Sequence, residues 1–281
     1  MEQNKRTRHI EKTIQGTATQ DGAGVKLTRI IGQRKLHMLD PFLLLDCFES
    51  DDPDDYIAGF PEHPHRGFET VTYIIDGKMR HKDSQGNEGV IGKGGVQWMT
   101  AGKGILHSEM PEQEQGLLKG FQLWVNLPSA DKMTQPAYQE FPAEQIATEQ
   151  WENGSIIKVI AGCTDSGTQG PVINQYTQPT YLDVQLKSKT TFTQQLPVNH
   201  NAFIYMLEGE LQLGNSKVQA KQLAILTAGE EIQLQAHSDS RFLLIAGKPL
   251  QEPVARYGPF VMNTQAQINQ AMSDYQQGKF S

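Results

Sequence analysis

With 281 residues, 37% of them hydrophobic and 20% charged, the chain is long enough for one large folded domain or two modest ones. A net charge of −7 argues against nucleic-acid binding over the whole surface, because phosphate recognition relies on clustered Lys and Arg. The two cysteines, Cys47 and Cys163, fit no CxxC or zinc-ribbon spacing, which argues against a disulfide framework and suits a reducing compartment.

Residues 1–12 are polar and contain no apolar h-region, so no signal peptide is expected. No apolar run approaches the roughly 20 residues that span a bilayer. The expectation is a soluble cytoplasmic protein without a membrane partner. Phe42-Leu43-Leu44-Leu45 then opens a series of short strand candidates, followed by an acidic stretch with Asp51, Asp52, Asp54 and Asp55 that reads as a solvated turn. Further candidates are 68–75, 90–91, 95–99, 105–106 and 121–125. Turns fall at Asp76-Gly77, Gly86-Asn87, Gly92-Lys93-Gly94-Gly95 and Gly102-Lys103-Gly104. Strands at this spacing predict a sandwich or closed barrel over residues 1–130. Residues 131–150, rich in Ser, Pro, Ala, Gln and Glu, read as a linker. A second β-domain is expected over 151–281, closed by a helix at 266–275, where Ile268, Ala271, Met272 and Tyr275 form an i, i+3, i+4, i+7 stripe.

The second half echoes the first. Tyr73-Ile74-Ile75-Asp76-Gly77 returns as Tyr205-Met206-Leu207-Glu208-Gly209, and Thr100-Ala101-Gly102 as Thr227-Ala228-Gly229. Phe121-Gln122-Leu123-Trp124 has a looser echo in Phe242-Leu243-Leu244-Ile245. Three matches in one order indicate a duplicated barrel.

Chemistry is confined to the first copy. His63-Pro64-His65 and His107-Ser108-Glu109 are two pairs of metal-ligand types with one residue between the members. Alternate residues of a strand share a face, so each pair points one way. On neighbouring strands, three imidazoles and a carboxylate would converge on one ion. Carrying the repeat offsets across sets His63 and His65 on Gln195 and Pro197, and His107 and Glu109 on Leu234 and Ala236. The second domain is therefore expected to lack metal ligands. Ser108 points to the other face and lacks a GxSxG elbow, so a serine hydrolase is a poor reading.

The stretches HPHRGFETVTY (63–73), GVQWMTAGKGILHSEMP (95–111) and DYQQGKF (274–280) closely resemble the pirin family, bicupins of the cupin superfamily. The resemblance runs over nearly the whole chain. It implies an all-β protein of two tandem cupin barrels (double-stranded β-helix, or jelly-roll), with a metal, usually iron, in the N-terminal one alone. Matched residue by residue, the family's ligands fall on His63, His65, His107 and Glu109. Glu69, where many cupins carry a ligand, lies roughly 13 Å beyond His65 along a regular strand and is assigned a supporting role. The donors also suit nickel, manganese, copper or zinc; iron(II) is preferred through the resemblance.

Bacterial pirins are similar to quercetin 2,3-dioxygenases, which implies a flavonol and dioxygen as partners, with Glu109 as proton acceptor. A eukaryotic branch, described as a nuclear co-regulator, implies the alternative: a non-catalytic iron protein that docks onto a protein partner. A metal-dependent isomerase on the same barrel is a third reading, since fold does not fix function. Among neighbouring residues, Arg66 is expected either to orient an anionic substrate or to pair with the 51–55 loop. His81, His200 and His237 read as ordinary surface or strand histidines, Cys163 as a buried thiol, and Trp98, Trp124 and Phe121 as barrel core.

Overall fold

The computed structural model describes residues 5–280, with strands the dominant element and a single α-helix among them. They form two compact units, one built on Thr17–Ala143 with the tail from Leu250 onward, the other on Glu144–Pro249 with the residues up to Gly16. No helix of the described residues is long and apolar enough to cross a membrane.

The first unit is a barrel of two antiparallel sheets. Its seven-stranded sheet runs in the order Ala137–Phe141, Val96–Thr100, Phe68–Asp76, Leu118–Asn126, Phe42–Ser50, Val25–Ile31 and Thr17–Asp21. Its four-stranded sheet runs Phe60–His65, Ile105–Pro111, Met79–Asp83 and Glu88–Ile91. The second unit repeats the plan. Ile10–Gln15, Gln222–Leu226, Asn201–Glu208, Ser240–Gly247, Thr180–Leu186, Ile156–Ala161 and Ala147–Gln150 make the large sheet. Thr191–Gln195, Glu231–Ala236, Glu210–Leu213 and Ser216–Gln219 make the small one. The duplication read from Tyr73–Gly77 and Tyr205–Gly209 is thus a duplication of topology. Both strands end at a glycine in the left-handed region, Gly77 at φ +85° and Gly209 at φ +79°. A side chain at Gly209 would also meet the Asp239 carbonyl at 2.5 Å.

The boundaries differ from those expected at 131 and 151. The supposed linker holds two edge strands: Ala137–Phe141 pairs with Val96–Thr100, and Ala147–Gln150 with Ile156–Ala161. Edge strands bury only part of themselves, so their polar texture resembles that of a linker. The leading strand Ile10–Gln15 completes the second barrel by pairing with Gln222–Leu226. The tail belongs to the first. Helix Gln265–Gln276 matches the apolar stripe and starts on a capping box between Thr264 and Gln267. Its Ile268 and Ala271 pack with Phe260, Phe280 and Leu106. The helix therefore docks on the first barrel, not the second as its chain position suggested.

Inside the second barrel the small sheet is apolar where the first carries His63 and His107. Phe192 lies opposite Leu234, as His63 lies opposite His107. A constant offset placed Gln195 at that position; loop lengths differ between the copies, and the pairing corrects it to Phe192. Phe192 and Leu234 are both buried in a continuous hydrophobic cluster with Leu182, Ile204 and Phe242.

Candidate metal centre

Strands Phe60–His65 and Ile105–Pro111 are antiparallel neighbours, with His107 opposite His63 and Ile105 opposite His65. Along the second strand Ile105, His107 and Glu109 are buried while Leu106 and Ser108 are only partly so, the alternation expected of one inward face. Ser108 turns outward and donates to the Lys82 carbonyl at 3.4 Å. The ring centroids of His63, His65 and His107 lie 4.5 to 4.8 Å apart, and one nitrogen of each falls within 4.8 Å of the others. Among the described residues this is the one group of three or more His, Cys, Asp or Glu side chains placed to hold a metal ion.

The hydrogen-bond pattern fits a cation. His63 Nδ1 lies 2.8 Å from the Pro61 carbonyl and so donates its proton there. That leaves Nε2 as a lone pair, 3.0 Å from Nε2 of His65. Two adjacent ligands of an octahedral ion with bonds of about 2.1 Å would be separated by about 3.0 Å. Both ring nitrogens of His107 are buried without a hydrogen-bond partner in the protein. The Pro259 carbonyl is near His65 but outside hydrogen-bond geometry with its Nδ1. Buried imidazoles in this condition are costly unless something accepts their lone pairs. Burial, reinforced by the neighbouring imidazoles, pushes His65 and His107 well below the usual histidine range and keeps them neutral, the form that binds metal.

Glu109 is buried beside a cavity of about 570 Å³ that His63 and His65 also line, but its carboxylate stands outside the imidazole group. Oε1 accepts from Thr72 Oγ1 at 2.8 Å and Oε2 from Gln122 Nε2 at 3.0 Å. The strand pairing shifts by one residue between His107 and Glu109, which sets Glu109 opposite Phe60. Glu69, on the large sheet, is also outside the group and accepts from Thr100 Oγ1 at 2.8 Å.

Several neighbours depart from expectation. Arg66 pairs with neither a cavity anion nor the 51–55 loop: its Nη1 reaches Asp274 of the terminal helix at 2.8 Å, and its guanidinium lies 4.4 Å from the Phe280 ring centroid. The acidic stretch, by contrast, is the turn expected of it, a short 3-10 turn over Pro53–Asp55 with no buried residue, and Asp55 pairs with Lys26. Lys132 is fully buried, its amine donating to the Gly67 and Val261 carbonyls, which fastens the tail beside the HxH strand. Cys163 is exposed, because it sits in a loop.

His81 is buried on strand Met79–Asp83, directly opposite Glu109, with Nε2 2.6 Å from Glu140 Oε2. Its inward period with Met79 and Asp83 was the signal available in the sequence. Trp98 and Phe121 are core, but Trp124 lines the cavity, where its ring stands 5.3 Å from that of His65. Arg256, Gly258 and Pro259 of the tail complete the wall, a contribution that distance in sequence concealed.

Comparison with known proteins agrees with this architecture. A family model described as Pirin matches residues 24–125, and the Pirin C-terminal cupin domain matches 181–281. A pirin-like protein of Caulobacter vibrioides is 50% identical, over 97% of this chain and 99% of its own length. A Pseudomonas aeruginosa protein provisionally named quercetin 2,3-dioxygenase is 45% identical, over 97% and 98%. The crystal structure of a quercetin 2,3-dioxygenase from Acinetobacter baumannii superposes with a TM-score of 0.90 at 37% identity, covering 98% of this chain and 99% of that one.

Proposed function

This chain belongs to the pirin family, and we propose that its first barrel is a metal-dependent dioxygenase that cleaves quercetin-like flavonols with dioxygen and releases carbon monoxide. The observation that carries this reading is the convergence of three imidazoles, those of His65 and His107 fully buried, beside a cavity large enough for one flat polyphenol. His63, His65 and His107 hold the ion, with Glu109 turning from Thr72 or Gln122 to complete the set. Bound iron(II), the first choice among iron, nickel, manganese, copper and zinc, supplies a Lewis-acidic, redox-capable centre.

The protein's own groups do the rest. The walls contributed by Leu44, Phe48, Phe60 and Trp124 exclude water and hold the rings flat. Glu109 accepts the proton of the flavonol 3-hydroxyl, and whichever of the Thr72 and Gln122 hydrogen bonds it keeps on turning steadies its carboxylate for that transfer. Ring opening takes up both oxygen atoms and expels one carbon as carbon monoxide.

The test is to incubate metal-assayed protein with quercetin under air and follow flavonol loss together with carbon monoxide. Turnover that His107→Ala abolishes, with the fold intact, supports the enzyme. Protein that turns over nothing with any of these metals, yet captures a protein partner when iron is bound, is the regulator instead.

A further inference from the structure

Two guanidinium groups line the cavity, and they differ in what they already hold. Arg29 is fully engaged: Nε and Nη2 donate to Asp46 at 2.9 and 2.7 Å, and Nη2 also donates to Asp21 at 2.6 Å. Arg256 is not. It lies on the short strand Ala255–Tyr257, is exposed, and has no carboxylate within ion-pair distance among the described residues. Its hydrogen bonds run to two backbone carbonyls, Leu43 at 3.3 Å and Gly258 at 3.4 Å, long for such bonds. The guanidinium carbon sits 4.7 Å from the centroid of the Trp124 ring, which is itself 5.3 Å from His65. Stacking therefore fixes a cation with no carboxylate paired to it one ring away from the imidazole cluster.

We propose that Arg256 anchors a negatively charged oxygen of a planar aromatic ligand, and so makes this cavity select aromatic anions over neutral molecules of the same shape. Trp124 keeps the guanidinium plane in one orientation, so its N–H edge is pre-organised for a carboxylate or ionised hydroxyl. The apolar side chains of Leu44, Phe48 and Phe60 take the ring. Asp46 and Asp21 are held by Arg29 and act on Arg256 only at a distance, so they attract it without occupying its N–H groups. The inference rests on the dioxygenase reading for its setting, where the ligand is an ionised flavonol, but the anchor itself requires only a ring and a charge.

The probes are 2-naphthoate and its uncharged counterpart 2-naphthamide, titrated into metal-free protein and followed by calorimetry. The wild type is expected to prefer naphthoate by about tenfold or more, the worth of one charge-assisted hydrogen bond. Arg256→Gln should abolish that preference by lowering naphthoate affinity far more than naphthamide affinity, and Arg256→Lys should restore part of it. Equal binding of both probes by the wild type, or a preference that survives Arg256→Gln, overturns the proposal. If Arg256→Gln does not fold, the wild-type comparison and Arg256→Lys still decide. Quercetin turnover by the metal-loaded protein is read separately. No turnover with the anion preference intact removes the dioxygenase reading and leaves the anchor; turnover without any preference does the reverse.

Discussion

His107 lies directly opposite His63 in an antiparallel strand pair, their ring centroids 4.5 Å apart, and neither ring nitrogen of His107 has a partner in the protein. A buried imidazole in that state destabilises the fold until an ion takes up its lone pair. His107→Ala should therefore weaken binding of iron(II) or nickel(II) by more than the roughly 10–100-fold typical of outer-shell changes. The metal-free variant should unfold at a temperature close to that of the metal-free wild type. Calorimetric titration and a thermal scan check both. An unchanged metal affinity would mean that His107 is not a ligand.

Glu109 is held by two donors, Thr72 and Gln122, and Glu109→Gln preserves its shape while removing its capacity to accept a proton. Flavonol turnover should fall by about 10²–10⁴-fold, the usual contribution of a positioned base. Metal should remain bound to the three imidazoles. Steady-state rates alongside metal analysis of the same sample read this out, and full activity in the variant would assign the proton transfer elsewhere.

The metal-free fold should lose stability as pH falls below the ordinary histidine value of about 6.5. His65 and His107 are held well below it by burial and by neighbouring imidazoles, so the unfolded chain takes up two protons that the folded one refuses. Where the unfolded state binds more protons, stability rises with pH. The slope approaches about 1.4 kcal/mol per pH unit for each imidazole. Urea midpoints at pH 7.5, 6.0 and 5.0 measure it, and the double variant His65→Ala/His107→Ala should show a visibly shallower dependence over the same window.

Arg66 and Asp274 join the HxH strand to the terminal helix, and Arg66 is buried. Asp274→Asn leaves that guanidinium without its charged partner and should cost about 1–3 kcal/mol. The pairing holds the Asp274 carboxyl down at about 2 from its usual 3.8. Its contribution is intact above about pH 4 and disappears as pH drops through 2. Because Arg66 follows His65, metal binding should also weaken. A variant as stable as the wild type would show that the tail is fastened by Lys132 and the apolar contacts of Phe280 alone.

The candidate site was legible because i, i+2 spacing on a strand is a local property: His63 with His65, and His107 with Glu109, announce shared faces without any tertiary information, and the structure gathers the three imidazoles. It also carried the duplication, since Tyr73–Gly77 and Tyr205–Gly209 end equivalent strands at glycines that need the same backbone conformation. What it hid was non-local. Ile10–Gln15 completes the second barrel and Arg256 walls the first, and neither segment differs in composition from its sequence neighbours. Trp124 was read as core because a half-buried aromatic at a cavity wall has the same local pattern as a buried one. His81 looked ordinary for the opposite reason, since burial of its strand depends on pairing with Ile105–Pro111.

The central claim, that His63, His65, His107 and Glu109 grip one ion, is tested most directly by diffraction from iron-loaded crystals at the iron absorption edge. The account predicts a single anomalous peak within bonding distance of the three imidazoles and one oxygen of Glu109. A peak held by other side chains, or one inside the second barrel beside Phe192 and Leu234, would contradict it.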